Sequence, residues 1–76
     1  MSNDEIYAEF LEWLATAERK HPLFAEGQYQ ALGVLGEEVG EVVKTVTKKE
    51  GDERMHEELM DLLVVTWRFI RGDWRV

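Results

Sequence analysis

Between Gln28 and Lys49, apolar side chains return every three or four positions as Leu32, Leu35, Val39, Val42 and Val46, with no proline to interrupt them. That period places them on one stripe of a helix roughly 30 Å long at about 1.5 Å per residue. A helix with one apolar stripe has to lay it against another element, so the feature demands helical partners. The same period recurs on either side. Ile6, Phe10, Trp13, Leu14 and Ala17 predict a first helix over residues 3–20, and Met55, Leu59, Leu62, Leu63, Thr66, Phe69 and Ile70 predict a third over 53–70. Ser2, Asn3 and Asp4 are good N-cap residues, Pro22 stops the first helix, Gly51-Asp52 separates the second from the third, and Gly72 closes the third. β-branched residues crowd 42–47 and 64–66, but the alternation of period two that a strand needs is absent. The fold class expected is all-α: a single domain over 1–76, a compact three-helix unit in which a long antiparallel hairpin is packed by the first helix.

A chain of 76 residues removes only about 60% of its unfolded surface from water, so its own core is marginal. Completion of a larger helical bundle by a homodimer or homotetramer, or help from a metal, is therefore expected. Sixteen Asp and Glu against nine Lys and Arg give a formal charge of −7. That balance argues against a nucleic-acid polymer as partner, because neutralising phosphates along a strand takes clustered cations. There are no cysteines, hence no disulfide frame and no thiolate metal site. The longest wholly apolar run, Leu62 to Val65, is far short of a membrane span, and Met1 to Glu5 carries no basic targeting signal. A cytoplasmic protein away from membranes is expected.

The acids are placed with more order than the composition requires. Helix two contains Glu37-Glu38-Val39-Gly40-Glu41 and helix three contains Glu57-Glu58-Leu59-Met60-Asp61. In each, two carboxylates three residues apart lie one position before a pair of seam residues, and residues at that spacing share a helix face. Acids on helices are usually just solvated; two pairs with the same offset from two seams are harder to assign to chance. If the seams pack, Glu38, Glu41, Glu58 and Asp61 border one groove. Four such carboxylates repel unless a cation relieves them. An all-oxygen donor set suits Mg²⁺, with Mn²⁺ as a substitute, and disfavours zinc. Open coordination positions in an acidic protein point to a phosphate-bearing small molecule.

The spacing Glu37-Glu38-x-x-Glu41 followed by Glu58-x-x-Asp61 resembles the signature of the all-α nucleoside triphosphate pyrophosphohydrolases, which include MazG, dimeric dUTPase and phosphoribosyl-ATP pyrophosphohydrolase. The runs Leu35 to Val42 and Glu57 to Leu63 look most like MazG-type members. The resemblance implies that Glu38, Glu41, Glu58 and Asp61 hold Mg²⁺. It implies hydrolysis of a nucleoside or deoxynucleoside triphosphate to the monophosphate and pyrophosphate, as in clearing non-standard nucleotides. Glu37, beside Glu38, is the further carboxylate expected to orient the attacking water. Lys48, Arg54 and Arg68 share stripes or turns with the acids and are candidates for the substrate phosphates; Phe24 and Tyr29 are candidates for the base, with Trp13 read as core. Gly33, Gly36 and Gly40 form a stripe read as room for an approaching helix. Family members commonly carry a further helix beyond the second motif, so a second subunit is expected to supply the missing wall. Two alternatives remain open: phosphoribosyl-ATP as the substrate, and a non-catalytic acidic helical oligomer that binds a basic protein partner.

Overall fold

The computed structural model describes residues 1–76 and contains three helices, α1 (Asn3–Lys20), α2 (Gln28–Thr47) and α3 (Asp52–Arg71). Each boundary has a local cause. The Ser2 hydroxyl accepts from the Glu5 N–H while the Glu5 carboxylate accepts from the Ser2 N–H, a reciprocal box that starts α1. His21, forced out of helical backbone by Pro22, ends it. At the other end of the chain Gly72 adopts φ +88° and returns its N–H to the Arg68 and Phe69 carbonyls, a left-handed cap that costs little without a Cβ. No helix is long and apolar enough to cross a membrane.

α3 is the middle element. It packs against α2 on one side and α1 on the other, while α1 and α2 do not pack together. Ion pairs Glu9 with His56 and Glu18 with Arg71 run in the same order along α1 and α3, so these two helices run in the same sense. The molecule measures 37 × 28 × 19 Å. Its thinnest dimension is less than two helix diameters of about 10–12 Å, so the helices form an open layer instead of a closed bundle. Phe10 and Leu14 of α1 meet Met60 and Val64 of α3 in the core, with Trp13 and Ala17 packed on its edge and the Phe10 and Trp67 rings 5.1 Å apart.

The packing stripes differ from those the periodicity predicts. On α2 the residues buried against α3 are Ala31 and Thr45, with Glu38 half-buried between them, while Leu32, Val39 and Val46 of the predicted seam are exposed. On α3 the buried residues are Glu58, Met60, Val64 and Arg68; Leu59 and Leu63 are exposed, and Ile70 is 82% exposed. α2 is thus turned by roughly one residue, about 100°, from the expected orientation, whereas α3 buries two faces, Met60 and Val64 against α1 and Glu58 on the other side. The larger aliphatics are left on one outer face of the hairpin. Only nine of 76 residues are buried, which leaves this single layer short of covered apolar surface. The glycine stripe is also not a helix contact: a Cβ built at Gly33, Gly36 or Gly40 meets nothing within 4 Å.

Candidate metal centre

The faces that α2 and α3 turn toward each other carry acids inward. Glu38 of α2 meets Glu58 and Asp61 of α3, and one carboxylate oxygen from each lies within 4.8 Å of the other two. Glu58 is 8% exposed and accepts from Arg54, one turn earlier on α3, at 2.8 Å. The other Arg54 nitrogen reaches Glu57 at 3.4 Å. One oxygen of Glu38, Oε2, is buried with no hydrogen-bond partner at all.

Crowding shows in the proton affinities. Burial pushes the Glu38 carboxyl above the usual carboxylate range, and the charges of Asp61, Glu58, Glu41 and Glu37 push it the same way. Asp61 is also raised, by burial first and then by Glu58 and Glu57, with Arg54 and Lys20 pulling back. Two raised carboxyls and an orphaned buried oxygen form an arrangement that Arg54 only partly neutralises. Three oxygen donors at this separation could hold a divalent cation and offer nothing to a thiophilic metal.

The other expected site residues are placed as follows. Glu41 and Glu37 are exposed and lie outside the triad, although the charge of each reaches Glu38. Arg54 is at the site and already engaged by Glu58. Arg68 is not available to a substrate: it is 2% exposed, and its guanidinium donates to the His21 and Pro22 carbonyls and to Asp73. Its work is to pin the end of α1 and the loop after it to the end of α3. Phe24 belongs to the same junction, stacked over the Arg68 guanidinium at 5.7 Å and against Phe69 at 6.2 Å, so it is not a free ring for a base. Tyr29, on the first turn of α2, is 91% exposed and away from the acids. Lys48 caps α2 ten residues after Glu38, roughly 15 Å along the helix, and is not brought to the triad.

A sequence model of the MazG nucleotide pyrophosphohydrolase domain matches residues 27–72, which includes all of α2, all of α3 and every member of the triad. The chain belongs to the MazG nucleotide pyrophosphohydrolase family. No curated protein and no solved structure matches it significantly. Glu38, Glu58 and Asp61, which the α2–α3 junction brings together, all lie within the matched segment. Two residues near the triad escape a reading of the motif. Lys20 and Trp13 of α1, outside the matched segment, line a groove whose opposite wall includes Asp61. Their helical spacing of seven was visible in the sequence, but nothing local announces which face of α3 α1 will cover.

Proposed function

We propose that this MazG domain hydrolyses a nucleoside or deoxynucleoside triphosphate to the monophosphate and pyrophosphate with Mg²⁺ held by Glu38, Glu58 and Asp61, Mn²⁺ serving in its place. The observation that carries the reading is the unpartnered buried oxygen of Glu38 at the centre of the triad. Glu41, one turn along α2, adds negative charge to the same site. When bound, the cation supplies polarisation of the phosphoryl oxygens and neutralisation of the pyrophosphate leaving group. The protein's residues do the rest. Glu38 is placed to hold a water and accept its proton, and exposed Glu37 beside it can help to orient that water. Arg54 releases Glu58 to the cation and turns to the phosphates. Clearing unwanted nucleotides from the cytoplasmic pool is the role such a reaction fits.

The working form is proposed to be a homodimer or homotetramer. Leu32, Val39, Val43 and Val46 of α2 and Leu59, Leu63 and Ile70 of α3 are exposed, and each set lies roughly 100° from the triad residue of its own helix. The hairpin therefore has one apolar face for a second copy.

The test is pyrophosphate release from a panel of ribo- and deoxyribonucleoside triphosphates and phosphoribosyl-ATP, with Mg²⁺ and with chelator, on wild type and Asp61→Asn. Release that needs both the metal and Asp61 is expected. Release unaffected by either, or none from a folded oligomer, overturns the proposal.

A further inference from the structure

We propose that the groove between α1 and α3 is the nucleotide subsite of this centre, with the Lys20 ammonium on a substrate phosphate and the Trp13 indole against the base. The inference rests on the pyrophosphohydrolase reading above and adds residues that the family match does not cover. The groove has a volume of about 190 Å³, with Trp13, Thr16 and Lys20 along its α1 wall and Asp61 and Val64 along its α3 wall. Asp61 belongs both to this wall and to the acidic triad, so the groove opens directly onto the metal centre. Whole small-molecule pockets are typically about 300–1,000 Å³. This one suits a base or sugar with the phosphates lying outside it, over Asp61.

The chemistry of the walls matches that division. Lys20 makes no ion pair or hydrogen bond, whereas Arg54, Arg68 and Arg71 are all held by carboxylates. Long helical side chains lean toward the helix N-terminus, which brings the Lys20 stem back over the groove; its charge already acts on Asp61. In a chain of net charge −7, an unpaired ammonium beside the acids is what a polyanionic substrate needs. Trp13 is half-buried on the edge of the core, its indole N–H has no partner, and it borders a second cavity with Glu12 and Thr16. A ring held at its root and open along its sides is a stacking platform. The two residues are seven apart, roughly 10 Å along α1, so they can serve opposite ends of one ligand. Arg68 fixes the rim by holding the His21 and Pro22 carbonyls at 2.7 and 2.8 Å, so the groove exists before the ligand arrives.

The experiment is calorimetric titration, in Mg²⁺, with the best substrate's α,β-methylene analogue and separately with inorganic tripolyphosphate. Lys20→Ala, an exposed change that breaks no hydrogen bond or ion pair, is expected to weaken both ligands about tenfold without weakening Mg²⁺ alone, since loss of a cation beside Asp61 can only favour the metal. Trp13→Leu is expected to weaken the analogue about tenfold and leave tripolyphosphate as in wild type, which also shows that the variant is folded. Wild-type affinities for both ligands in Lys20→Ala overturn the groove while the pyrophosphohydrolase reading stands. Failure of wild type to bind either ligand in Mg²⁺ overturns both.

Discussion

Replacing Glu38 by glutamine should make the metal-free protein more stable and its cation site weaker, two effects of opposite sign from one substitution. In wild type, Glu38 brings a buried oxygen with no donor and a charge opposed by Asp61 and Glu58. The amide keeps the shape, removes the charge and offers two N–H donors to the neighbouring carboxylates. An unsatisfied buried polar group costs about 1–3 kcal/mol. Because Glu38 is only half-buried, water screens much of that cost, and a gain of about 1 kcal/mol is the figure to expect. For a domain of this size that is about 4–8 °C in melting temperature. Saturating cation at a hundred times its Kd stabilises the native state by about 2.7 kcal/mol, and the variant should lose most of that increment through a weaker Kd. Thermal melts followed by circular dichroism, with chelator and with Mg²⁺, read both effects. A metal-free midpoint at or below that of wild type, or an undiminished Mg²⁺ increment, refutes the reasoning.

Metal-free stability should fall as pH rises. Glu38 and Asp61 have folded-state proton affinities above their ordinary values of 4.5 and 3.8, so the native state is favoured while they are protonated and loses that advantage as pH passes up through the raised values. Melts in chelator between about pH 4 and 7 test this; a flat profile contradicts it, and Mg²⁺ should flatten or reverse the slope. Arg54→Ala should tighten Mg²⁺ binding several-fold, since the ion no longer competes for Glu58, while weakening tripolyphosphate in saturating metal; calorimetry giving losses in both would contradict the exchange proposed for Arg54. Arg68→Met leaves two carbonyls without their donor and Asp73 with Arg71 alone, and should cost about 3–5 kcal/mol, most of a small domain's stability, visible as a lost or greatly lowered urea midpoint; a midpoint near wild type would show that the loop is pinned by other means. Ile70→Asp should lower the oligomer mass in sedimentation without lowering helix content, and an unchanged mass would place the interface elsewhere.

The helices were legible because their signals are local. Ser2 with Glu5, His21-Pro22 and Gly72 each act within a few residues of the boundaries they set. Which stripe packs was not legible. The period of Leu32, Val39 and Val46 identifies an apolar face but not its partner, and the stripe that α3 covers is built of Ala31, Glu38 and Thr45, which hydropathy does not single out. The acids were found from an offset of one residue, and that same offset made them look like the margin of a groove. They lie within the helix contact, which is why three converge and Glu41, a turn away, does not. Arg68 was misassigned for a tertiary reason: its partners at 21, 22 and 73 meet it only once the loop and the chain end have folded together. Trp13, read as core, borders a groove with Lys20, and the closeness of both to Asp61 depends on how α1 lies across α3.

The central claim is that Glu38, Glu58 and Asp61 form a divalent-cation centre, and Mn²⁺ titration followed by electron paramagnetic resonance tests it most directly. Saturable binding to wild type, displaced by Mg²⁺ and lost in Asp61→Asn with the fold intact, is the predicted result. Binding to Asp61→Asn equal to that of wild type, or no saturable binding to the folded wild-type oligomer, would contradict it.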